Sequence, residues 1–200
     1  MQAQVVTRMR NGTTLWICEK WSEDACEFAR QRLWLPKSAS VGSVQLREIV
    51  GDPEECMEVY GNLLLNEGIQ RMQDMTMIAT VLSNQVGSNP WSNSNSFLGV
   101  GDSFTPEAAT QTELQAPSNR FYKAMNATYP SRSNQTVSFQ SDFVTSEANF
   151  TWSEWSVAAG ATSASGAGFL LGTTNLNRKV AALGTKASGT WTLTAQVTFS

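Results

Sequence analysis

No histidine occurs among the 200 residues. That absence excludes Ser/His/Asp and Cys/His nucleophile schemes and every His-liganded zinc or iron site. Cysteine is scarce too: Cys18, Cys26 and Cys56 are the only three, and their spacing fits neither a CxxC metal knuckle nor a complete disulfide framework. The thiols read as reduced, buried or half-buried residues, and no metal or cofactor is expected. No apolar run reaches the roughly 18 residues of a membrane-spanning helix, and the opening residues Met1 to Arg8 lack the apolar stretch of a secretory signal. The expectation is therefore a chain made in a cytoplasm without a membrane partner. Basic residues number 14 against 17 acidic ones, for a net charge of -3 and a pI near 5.0. Direct binding to nucleic acid, which strengthens with each phosphate neutralised, is not expected.

What is present suits a globular body. Hydrophobic residues make up 41% and aromatic ones 10% of the chain, and at this length a single body buries about 70% of the surface its unfolded chain exposes. Residues 1–100 hold 19 of the 31 charged side chains, and most of the Ser, Thr and Gly lie beyond them. The unevenness predicts an α+β fold: an N-terminal mixed α/β portion carrying an amphipathic helix, followed by a C-terminal antiparallel β-sandwich.

Local signals place the elements. Apolar runs at Val5–Met9 and Leu15–Ile17 flank Asn11-Gly12, a hairpin signature. Ser22 followed by Glu23 and Asp24 predicts a helix start, with Ala25, Phe28, Ala29 and Leu33 on its buried face and Pro36 as its stop. Val41, Val44, Leu46 and Ile49 predict a strand within residues 38–53. Ile69, Met72, Met75, Ile78, Ala79 and Leu82 recur at helical spacing, which predicts a helix over 66–86 capped by Asn66. Residues 87–96, low in apolar content, read as the loop or linker between an N-terminal portion of 1–86 and a sandwich domain of 97–200. Within that domain Phe97–Val100 predicts a strand, and Thr105-Pro106-Glu107 a short helix ending near Pro117. Period-two alternation predicts strands around Val137–Phe143 and Trp191–Phe199. Phe150 and Trp152 share one phase, and Trp155 and Val157 the other. All four face the core only if a β-bulge lies near Ser153-Glu154. Small residues over 158–168 predict a flexible loop, with strands beyond it at Phe169–Leu171 and Val180–Leu183.

Two constellations invite chemistry. Gly99-Val100-Gly101 lacks the Gly-Lys-Ser/Thr ending of a phosphate loop and reads as a strand-to-turn connection. Asp142, Glu147 and Glu154 lie near Trp152 and Trp155, the residue types of a glycan-cleaving site, yet acids on the wet face of alternating strands are ordinary. No catalytic residue is assigned and an enzyme is not expected. Candidate binding aromatics are Trp91, Tyr129, Trp152 and Trp155, because Trp and Tyr stack on sugar faces when exposed.

The runs Gly61-Asn62-Leu63-Leu64-Leu65-Asn66-Glu67-Gly68, Phe97-Leu98-Gly99-Val100-Gly101-Asp102, Glu147 to Trp155, Leu176-Asn177-Arg178-Lys179 and Gly189-Thr190-Trp191-Thr192 follow one another in an order and spacing that resembles accessory structural proteins of tailed bacteriophages. The likeness covers residues 59–200. It implies a non-enzymatic virion component, assembled in the host cytoplasm as a homo-oligomer on capsid or tail proteins, and decorating or reinforcing the capsid surface. The alternative is a tail-tip or fibre module binding a host surface glycan or protein.

Overall fold

The computed structural model describes residues 14–73, 91–160, 166–167 and 174–198. Its fold is α+β, with two antiparallel sheets packed face to face and, among the described residues, three short helices. The five-stranded sheet runs β2 (Glu55–Tyr60), β1 (Thr14–Trp21), β12 (Thr190–Thr198), β7 (Thr136–Phe143), β6 (Ser131–Ser133). The second runs β3 (Leu63–Leu64), β11 (Asn177–Thr185), β8 (Thr151–Ala159), β4 (Ser96–Gly101), β5 (Arg120–Ala124), β9 (Gly166–Ala167), with β10 (Thr174–Asn175) also on β8.

Alternation decides which side of each strand enters the core. In the first sheet Trp16 and Cys18 pair with Ala195 and Leu193, which pair in turn with Phe139 and Ser141. These residues face Leu98, Val100, Trp152, Trp155 and Val157 of the second sheet. Edge-to-face contacts knit the layers: Trp16 on Trp155 at 5.9 Å, Phe143 on Trp152 at 4.8 Å and Trp152 on Trp191 at 4.9 Å. Each such pair adds about 0.5–1.5 kcal/mol beyond area burial. Trp152 and Trp155 both enter this core, and the phase change the sequence demands is present. Glu154 pairs with Val180 and Trp152 with Gly184, so the register between the two strands shifts opposite Ser153, with the extra residues on β11 and not on β8.

Residues on both sides of 87–96 share these sheets. β1 pairs with β12 along its whole length, and β3 pairs with β11. Of the linker segment itself, the described part is built into the fold: Ser96 and Asn95 donate to the Ser92 carbonyl, and Asn95 is buried. The first arm of the expected hairpin lies outside the described residues; its second arm, β1, has both edges occupied, by β12 and β2.

Three local expectations are corrected. Residues 43–49 form a helix, α2 (Ser43–Ile49), where a strand was expected. The reason is tertiary: Asp142, on β7, accepts from the Ser43 N–H at 2.7 Å and from its hydroxyl at 3.0 Å, placing an anion at the helix N-terminus. Residues 105–117 form turns and extended chain instead of a helix, because side chains take their backbone groups: Gln111 accepts from the Ala108 N–H and Glu154 from the N–H groups of Gln115 and Ala116. Helix α1 (Glu23–Arg32) is capped by Ser22 as expected, but buries Ala25, Cys26, Ala29 and Arg30 and leaves Phe28 and Leu33 exposed. Small residues let α1 approach Trp21, Val41 and Leu46 closely, and Phe28 is too large for that seam.

Helix α3 (Asn66–Gln73) is the described part of the expected 66–86 helix; residues 74–86 lie outside the described residues, as does the expected strand at Phe169–Leu171. Asn66 is its first helical residue, and the Leu65 carbonyl, which accepts from Ile69, precedes it. Of the small-residue stretch expected as a flexible loop, Ala158 and Ala159 are buried and belong to β8.

Candidate functional site

The acids singled out as glycosidase candidates are bound into the structure. Glu154 and Arg178 are both 0% exposed and form an ion pair at 2.6 Å. Glu154 also accepts from the N–H groups of Gln115 at 2.9 Å and Ala116 at 2.6 Å, while Arg178 donates to Gln111 Oε1 at 3.0 Å. This correction to a wet-face reading has a plain cause. Residues 102–119 cross the outer face of the second sheet, with Leu114 and Ala116 buried beneath, so β8 is covered on both sides. Gly101 leaves the space the carboxylate fills, since a Cβ there would lie 2.5 Å from Glu154 Oε1. An uncompensated charge at this depth would cost about 3–5 kcal/mol. Asp142 accepts from Ser43 and Thr192, and Glu147 pairs with Lys123 at 2.6 Å.

The candidate aromatics separate into two groups. Trp152 and Trp155 are 0% exposed and cannot present a ring to a ligand. Trp91 is half-buried, packed on the core with the Arg71 guanidinium 5.1 Å from its ring. Tyr129 lines an open groove. Among the described residues, no three His, Cys, Asp or Glu side chains are grouped so as to hold a metal ion, and no helix is long and apolar enough to cross a membrane.

Two surfaces among the described residues offer distinct kinds of contact. The first is an apolar tip that the sequence reading passed over. Past α1, Leu33, Trp34 and Leu35 are all exposed, Trp34 at 94%. The turn is fixed by main-chain bonds from Leu33 to Ala29, Trp34 to Gln31 and Leu35 to Arg30. Trp34 adopts φ 56°, a left-handed conformation unfavourable for a bulky residue, at the turn that ends α1. The signal was in the sequence: Leu33-Trp34-Leu35 places three large apolar residues in a row, more than one helix stripe can bury.

The second surface is a groove of about 360 Å³ on the outer face of the five-stranded sheet. Alternation points Ile17, Thr194, Gln196, Ser138 and Gln140 outward to make its floor. Helix α2 forms one wall with Val44 and Arg47, and Tyr129 and Ser131 form the other. Arg47 is paired with Glu19 and Asp52, so its charge is compensated. Comparison with protein-family profiles, curated proteins and solved structures finds no match to this chain.

Proposed function

We propose that this chain is a structural protein of a tailed-phage particle, decorating or reinforcing the capsid surface by docking on neighbouring capsid subunits. The reading rests on the likeness of residues 59–200 to phage accessory proteins, and the observation that carries it further is the rigid tip at Trp34. A fully exposed indole between two exposed leucines has no role in the chain's own core. Burying it against a partner removes on the order of 200 Å² of apolar surface, about 5 kcal/mol before association entropy is subtracted. Repetition over a symmetric lattice then multiplies a modest contact.

Among the described residues, the edge strands fit a protein that docks by side chains and not by strand addition. Edge strand β2 carries exposed Glu55 and Glu58, and β3 and β6 have two and three residues. Short or charged edges resist uncontrolled pairing. The test is a reconstruction of purified particles carrying either the native chain or Trp34→Ser. Native chain is expected as density on the head, and the variant is expected to be lost from it while the isolated protein keeps its thermal stability. Absence of the native chain from particles, or full occupancy by the variant, would overturn the reading.

A further inference from the structure

The groove on the outer face of the five-stranded sheet has a chemistry unrelated to the apolar tip. Its floor is a sheet face, so the main-chain N–H and C=O groups beneath are already used in the ladders β1–β12 and β12–β7. A ligand there must be recognised by side chains. Most of those side chains are hydroxyls and amides, with Ile17 and Val44 among them, and among the described residues the side chains of Ser131, Ser138 and Gln196 and the hydroxyl of Tyr129 bond to no other protein group. Gln140 is oriented by its neighbours, donating to Thr194 Oγ1 at 3.1 Å and accepting from Asn126 Nδ2 at 3.1 Å. Asn93 donates to the Tyr129 carbonyl at 2.6 Å and to the Asn126 carbonyl at 2.8 Å, which ties the Tyr129 wall to the body of the fold.

From this arrangement we infer that the groove is a binding site for a short neutral oligosaccharide. Hydroxyl and amide groups side by side on the sheet face, with Gln140 and Thr194 oriented by their own hydrogen bond, match the vicinal hydroxyls of a sugar, and one aromatic residue at the wall supplies an apolar partner for a pyranose face. The volume falls within the range of about 300–1,000 Å³ common to small-ligand sites. Charge argues for a neutral ligand: Arg47 and Glu19 neutralise one another, and no second cation lines the groove among the described residues. An extended peptide would instead seek an open strand edge, where main-chain groups are unpaired. The site does not depend on where the chain sits in a particle.

The experiment is a ¹H–¹⁵N correlation titration of the full chain with lactose, N,N′-diacetylchitobiose, maltotriose and methyl α-mannoside. Sialyllactose and a neutral tetrapeptide serve as the charged and peptide arms. At least one neutral saccharide is expected to shift the amides of Ser138, Gln140, Thr194 and Gln196 saturably. Gln196→Ala and Ser138→Ala, both on the outward face, are each expected to weaken that binding about fivefold, the loss of one hydrogen bond. Tyr129→Phe keeps the ring and is expected to lose only the hydroxyl contribution. The inference is overturned if no neutral saccharide moves the groove amides, if the shifts cluster elsewhere, if only sialyllactose or the peptide binds, or if both alanine variants bind like the native chain with unaltered spectra elsewhere.

Discussion

Glu67 shows what burial does to a single side chain. It sits in the first turn of α3, where a carboxylate normally gains from the helix N-terminus. Burial there raises its pKa from 4.5 to about 7, against the opposing effect of the Asn175 N–H, which donates to Glu67 Oε1 at 2.6 Å. A carboxyl whose folded pKa exceeds its unfolded one holds its proton longer in the native state. Its contribution to stability is complete below pH 4.5 and is lost as pH rises through about 7. Urea midpoints of the native chain should therefore fall across that window, and Glu67→Gln should flatten the slope. Midpoints equally pH-dependent in both proteins would refute the assignment. At higher pH Lys186 acts in the other direction. Burial lowers its pKa from 10.5 to about 8, so stability rises as pH climbs from the folded value to the unfolded one.

At the scale of elements, contacts from distant parts of the chain override local preference. The segment Val41–Ile49 carries β-branched residues and becomes a helix because Asp142 arrives at its N-terminus from 99 residues away. Thr105-Pro106-Glu107 has a helix start signal and forms none, because its Glu107 accepts instead from the Val180 N–H at 2.6 Å. Helix α3 shows the converse, a local cost accepted for packing. Gly68 is unfavourable in a helix by about 1 kcal/mol relative to Ala. Yet an added Cβ would lie 2.5 Å from Leu176 Cα and 2.6 Å from its carbonyl oxygen, both backbone atoms. Gly68→Ala should thus destabilise the protein, by roughly 1–3 kcal/mol as an overpacking defect does. Chemical denaturation would read the sign directly, and a gain in stability would mean that α3 lies further from Leu176.

For the whole molecule, the order of strands matters more than their order in the chain. β1 lies between β2 and β12, and its Trp16 meets Trp155 across the core. A fragment starting at residue 87 would lack β1, β2 and β3, uncover the edges of β12 and β11, and remove Trp16 from a close-packed cluster. Such a fragment is expected to be insoluble or molten, with poor amide dispersion, whereas the full chain should give a dispersed spectrum. A well-dispersed, cooperatively melting 87–200 fragment would establish a boundary at 87–96.

Sequence patterning by itself determined the α+β class, the alternating strands β7 and β12, the Ser22 cap and the need for a phase change between Trp152 and Trp155. Each of these is written in residues a few positions apart, where side-chain direction follows from backbone period alone. Only the tertiary structure decided that Glu154 is buried, that residues 43–49 are helical, and that Tyr129 lines a groove while Trp152 and Trp155 fill the core. Those outcomes depend on what packs against each residue from far along the chain: the 102–119 segment over β8, Asp142 at α2, and α2 beside the β12–β7 face. A two-residue period tells which side chains share a face, but not which face another part of the chain will cover.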